Sequence, residues 1–189
     1  MGGSIVETTR RFVAELDVDT LERAEVSARE QTRLDVGREM RLQEALELMT
    51  AAKLLAVGED FDRGEAQGVR LWLTKYEMPS IVQRHLLKLD VSGFSVEQLP
   101  SRMRLDSIEM RRLFWVVTAL ASFEGLRPGT RVRAEALGAR LGLPRDLVRV
   151  LVEEAQLAVS AVLQGDEPLI RRLRTLRYAI FRMGEDGSR

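Results

Sequence analysis

The chain has no cysteine among its 189 residues and only one histidine, His85. Disulfide frameworks, thiolate metal sites and thiol catalysis are thereby excluded, and no pair of imidazoles exists to share a metal. No apolar run approaches the roughly 18 residues needed to cross a bilayer, and Met1 to Thr20 hold no basic segment followed by an apolar one. A cytoplasmic protein without a transmembrane segment is expected. Neither sign of charge is in excess, since 29 basic residues face 29 acidic ones. No global field then steers the chain to polyanions, and nucleic acid is not an expected partner. Glycine-rich phosphate loops are lacking, and Ser80 and Ser122 sit in no nucleophile-elbow pattern. These absences leave no complete catalytic constellation, so the chain is read as non-enzymatic.

Alternating β-branched stretches are also scarce, and apolar residues instead recur at three and four positions almost throughout, which predicts an all-α fold. Residues 1–36 are polar and charge-laced, and the stretch from Leu21 to Leu34 reads as a solvated helix or N-terminal arm. Residues 37–94 form a first helical unit. Its opening helix, from about Gly37 to Val57, turns Met40, Ala45, Leu48, Ala52, Leu55 and Ala56 inward. Asp62 with Glu65 has capping-box spacing before a helix through Trp72, and Pro79 starts another. Residues 95–165 form a second unit in the same order. Ser95 caps a short segment that Pro100 limits, Asp106 with Glu109 opens a helix, Thr130 caps the next and Pro144 opens a long one to about Leu163. Residues 166–189 hold a last helix, begun at Asp166 and Pro168, and a tail.

Sliding the chain by 65 residues aligns Glu44 to Leu86 with Glu109 to Leu151 without a gap, giving nine identities in 43 positions. Typical residue frequencies give about three by chance. The identities include joints, Gly64 with Gly129 and Pro79 with Pro144, so the units are read as two diverged copies. Each is too small to bury its own apolar face, which predicts that they pack together around a pseudo-twofold axis.

The run Leu54 to Glu65, a helix ending in small residues followed by an acidic turn, resembles the signature of TerB-like tellurite-resistance domains. Ala121-Ser122-Phe123-Glu124-Gly125 in the second copy is similar to it, and the two copies cover about Leu42 to Leu163. The resemblance implies antiparallel helices, a divalent cation of calcium or magnesium type at an acidic loop, and work as a scaffold in a stress-response or envelope-associated system. Asp60 stands where that family favours Gly, and Arg127, Pro128 and Thr130 stand where acids are expected, so any cation belongs to the first loop.

Four carboxylates in that first loop, Glu59, Asp60, Asp62 and Glu65, suit a hard cation, although their spacing fits no EF-hand. The other role open to them is local, with Asp62 and Glu65 capping a helix and Glu59 and Asp60 solvated. Trp72, Phe114, Trp115 and Phe123 fall on helix faces and read as core. In the last helix Leu169, Leu173, Leu176, Ile180 and Met183 form a seam, edged by Arg171, Arg172, Arg174, Arg177 and Arg182. Three destinations compete for that seam: its own domain, the same helix of a second copy, or anionic lipid or an acidic protein partner. Leu173, Leu176 and Ile180 with Arg171, Arg172, Arg174 and Arg177 are therefore candidate partner contacts. An adaptor or homo-oligomer held through this helix, with no metal, is the alternative to the TerB-like scaffold.

Overall fold

A computed structural model describes residues 4–57, 67–95, 107–123, 125 and 128–183. Among the described residues there are nine helices and no strand: α1 (Ile5–Ala14), α2 (Val18–Asp35), α3 (Leu42–Val57), α4 (Gln67–Lys75), α5 (Ser80–Lys88), α6 (Ser107–Ser122), α7 (Pro128–Arg140), α8 (Arg145–Gln164) and α9 (Glu167–Arg182). The all-α expectation holds.

The centre of the bundle is α3 packed on α6. Sixteen-residue α3 is apolar nearly all round, and Ala45, Leu48, Met49, Ala52 and Leu55 are at most 2% exposed, while Phe114 and Val117 of α6 are fully buried. A helix without a polar face has to be enclosed on every side. Helices α1, α2, α4, α5 and α7 supply the cover for α3. Arg38 to Arg41 are not helical, so α3 starts later than its spacing suggests; buried Met40 is held by its backbone N–H donating to Thr32 Oγ1 at 2.8 Å.

The N-terminal segment is helical as expected but docked rather than arm-like. Ser4 and Asp17 cap α1 and α2 by accepting from Glu7 N (3.2 Å) and Thr20 N (2.9 Å). Small or short residues, Ala24, Ser27, Ala28 and Thr32, then let α2 sit close on α3 and α6. Its polar composition concealed this, because a stripe of Ala, Ser and Thr has little hydropathy. Helix α1 contributes Ile5 and Phe12, with the Phe12 ring stacked on His85 of α5 at 3.6 Å. Burial lowers the His85 pKa, favouring the neutral imidazole in that stack. Glu47 of α3, 5% exposed, accepts from Gln43 Nε2 (2.9 Å) and Thr9 Oγ1 (3.4 Å), and burial pushes its pKa up.

A 65-residue translation maps α3 onto α6 from end to end, aligns the ends of α4 and α7 at Lys75 and Arg140, and aligns the starts of α5 and α8 at Ser80 and Arg145. The turns agree bond for bond. Tyr76 N donates to Trp72 O, Glu77 N to Thr74 O and Met78 N to Leu73 O; Leu141 N donates to Leu137 O, Gly142 N to Ala139 O and Leu143 N to Gly138 O. Pro79 and Pro144 follow as N-caps with nearly the same dihedrals, φ −51° and ψ 139° against φ −56° and ψ 137°. The cross-contacts are reciprocal as well: α6 touches α4 while α3 touches α7. In one direction a Cβ on Gly68 would lie 2.1 Å from Leu120 O; in the other, Arg133, 65 residues on, donates to Leu55 O at 2.9 Å. Residue i against j and j against i is the arrangement of an isologous, twofold interface. Thr130, read as a cap, is the third residue of α7 instead and is buried, because α7 already starts at Pro128.

The two turns differ in which residue takes the left-handed conformation. The left-handed position is Gly142 in the second unit (φ 73°) but Glu77 in the first (φ 51°). A side chain costs about 1 kcal/mol or more there, partly offset by glycine's larger unfolded-state entropy. Glu77→Gly is therefore expected to stabilise the protein by about 0.5 kcal/mol and Gly142→Ala to destabilise it by about 1 kcal/mol. Urea unfolding measures both, and changes of the same sign in the two variants would show that the turns are not equivalent.

Candidate functional site

The repeat ends before α8 does. Lys88, the last residue of α5, corresponds to Glu153, and α8 continues for eleven residues beyond it, to Gln164. Gly165, at φ 68°, stops the helix, and Asp166 caps α9 by accepting from Leu169 N at 3.0 Å. This extension and α9 have no counterpart in the first unit, and they wall a cleft of about 370 Å³.

Trp115 and Ala119 of α6, with Phe123 just past its end, form one side at successive four-residue steps. Ala158 and Val159 of α8 and Ile170 of α9 face them, and Trp72 and Lys75 of α4 line the cleft too. Asp35, at the end of α2, anchors α4: it accepts from Trp72 Nε1 at 2.7 Å and from the Tyr76 hydroxyl at 2.9 Å. Burial, with that carboxylate beside it, raises the Tyr76 pKa well above the usual phenol value.

A buried ion pair holds the α8–α9 wall. Glu154 is 3% exposed, and Arg177 Nε donates to its two oxygens at 3.0 and 3.2 Å while the guanidinium also reaches Oε1 from its Nη2 at 3.0 Å. The same guanidinium lies 3.6 Å from the Trp115 ring centroid, and Trp115 Nε1 donates to Glu154 Oε2. Arg is suited to this position because its planar fork satisfies a carboxylate and its face stacks on an indole at once. Arg111 of α6 completes the seat of α9 by donating to the Phe181 carbonyl at 2.8 Å.

Of the candidate partner contacts in α9, Leu173 and Ile180 are buried and Arg177 is turned inward, whereas Arg171, Arg172, Arg174 and Leu176 are exposed. Its inner face docks on its own chain, against α6 and α8. The seam as read from spacing is also displaced: Leu176 and Met183 face outward, and Ile170, Arg177 and Phe181 take inward positions. Spacing of apolar residues alone missed Arg177, because half of its inward role is carried by charge. For Glu154 the sequence carries a legible signal, a carboxylate three residues after Leu151 and four before Ala158 on an apolar face. Lys53, set among Ala and Leu, had the same one; 5% exposed, it donates to the carbonyls of Leu86, Leu87 and Leu89 at 3.1, 2.7 and 2.7 Å, closing the end of α5.

Glu59, Asp60, Asp62 and Glu65 lie outside the described residues, as do Gly64 and Asp106. Among the described residues, no three His, Asp or Glu side chains are grouped to hold a metal ion, and no helix is long and apolar enough to cross a membrane. No protein-family model, curated protein or solved structure matches the chain.

Removing one partner of a buried ion pair strands the other charge, at a cost of about 3 kcal/mol, whereas an apolar replacement of both is far better tolerated. Arg177→Met should lose roughly that much stability in urea, and Arg177→Met with Glu154→Leu should recover at least half of it. A double variant as unstable as the single one would refute the ion-pair account of how α9 is seated.

Proposed function

We propose that the chain is a non-enzymatic helical interaction module that takes up its ligand in the cleft between α4, α6, α8 and α9. The observation that carries this reading is the cleft itself: an open, mostly apolar recess with a few polar groups at its edge, walled on one side by the part of the chain that departs from the repeat. The sequence supports the non-enzymatic part, since it offers no nucleophile–base arrangement and no phosphate loop. Uptake of a neutral fluorescent hydrophobe, N-phenyl-1-naphthylamine, tests the cleft. Binding is expected in the micromolar range, and Val162→Phe and Ala158→Leu, which narrow the recess, are expected to weaken it about tenfold. Binding that ignores both variants places the site elsewhere.

The TerB-like resemblance extends the proposal to a stress-response or envelope-associated scaffold with one divalent cation at Glu59, Asp60, Asp62 and Glu65. A cation that binds only the folded chain raises its melting temperature. Millimolar calcium or magnesium should do so by a few degrees, and Asp60→Asn with Asp62→Asn should cancel the effect. An unchanged melting temperature removes the cation from the proposal.

The adaptor reading keeps one observation in its favour. The outer face of α9 exposes Arg171, Arg172 and Arg182 beside Leu176, Tyr178 and Met183, a surface suited to an acidic partner, a second copy or anionic lipid.

A further inference from the structure

Beyond the existence of a cleft, its charges specify what kind of molecule fits, an inference that rests on the reading just proposed. Among the described residues fourteen line the recess, against roughly 20–30 on each side of a stable protein interface. Its volume of about 370 Å³ lies at the small-molecule end of the range for ligand sites, about 300–1,000 Å³.

Among the described residues the lining holds one carboxylate, Asp35, whose two oxygens accept from Trp72 Nε1 and the Tyr76 hydroxyl. Three cations among the described residues line the same recess, Lys75, Arg174 and Arg177. Arg177 is committed to Glu154 and to the Trp115 face. Lys75 and Arg174 remain. Lys75 Nζ lies 2.9 Å from the Tyr76 hydroxyl, a neutral partner, and Arg174 forms no ion pair among the described residues. Both are exposed at the edge of a recess whose interior is Ala, Val, Ile, Phe and Trp. An apolar interior with two cations at its margin, neither of them in an ion pair among the described residues and together outnumbering the single charge of Asp35, is complementary to an apolar body that ends in an anion.

We propose that the cleft binds small amphipathic carboxylates, with the hydrocarbon or aromatic body against Trp115, Ala119 and Ala158 and the carboxylate between Lys75 and Arg174. The chain supplies its own reporter, because its only two tryptophans, Trp72 and Trp115, both line the cleft. Decanoate, decanol and decyltrimethylammonium share one chain and differ in head charge. Titrated into the full-length protein below their micellar concentrations, decanoate is expected to change tryptophan emission with an affinity about tenfold tighter than decanol, and decyltrimethylammonium to bind least. Lys75→Met combined with Arg174→Met changes two exposed side chains, and it is expected to bring decanoate down to the affinity of decanol while leaving decanol unchanged. Decanol binding as tightly as decanoate, or a decanoate preference that survives the double variant, overturns the anion assignment and leaves the cleft standing. Failure of all three ligands and of the neutral naphthylamine removes the cleft and the assignment together.

Discussion

Everything in this fold follows from the mutual burial of α3 and α6. Each is apolar around most of its circumference, so neither is stable on the surface of its own unit, and each unit alone is too small to enclose it. Pressed together, the two helices form one continuous core that also takes in Leu86, Val82, Leu137 and Leu151 from the flanking helices. The reciprocal approach of Gly68 to Leu120 and of Arg133 to Leu55 shows how the same joint is solved by two chemistries. In one, the absence of a side chain lets backbone meet backbone; in the other, a long side chain bridges the gap and satisfies a carbonyl at the end of α3.

The cleft is a consequence of where the two units stop resembling each other. Helix α5 ends at Lys88 and its terminal carbonyls are closed by Lys53, whereas α8 runs on and turns back as α9. The extension needs an attachment, and the Trp115, Glu154 and Arg177 cluster provides one that is directional. Apolar contacts of Leu173 and Ile180 favour docking of α9 but do not fix its rotation. A carboxylate held from one side by an indole N–H and from the other by a guanidinium does so, since a turn of the helix would leave a buried charge unpaired. Arg174, one turn before Arg177, is left exposed at the rim of the adjoining recess.

Three buried ionisable groups, Lys53, Glu47 and Glu154, mark the joints between elements that are far apart in sequence. Lys53 ties α3 to α5, Glu47 ties α3 to α1, and Glu154 ties α8 to α6 and α9. Each is provided with the hydrogen bonds that make its burial tolerable. At each of them any single apolar substitution leaves the hydrogen-bond partners unsatisfied, and a small replacement adds a void to that loss.

The amino-acid sequence by itself determined the helical class, the punctuation by Pro79, Pro144 and Asp166, and the 65-residue repeat. Helical periodicity, caps and turn residues act within a few positions of one another, so their effects are legible in order along the chain. Only tertiary structure decided that the polar N-terminal segment is docked, that Arg177 points inward while Leu176 points out, and that α4, α6, α8 and α9 wall a cleft. Those outcomes depend on which faces meet, and on an Ala, Ser and Thr stripe fitting a neighbour closely or a guanidinium finding Glu154 and Trp115 at once. Pairing of that kind joins residues tens of positions apart, and no local spacing encodes it.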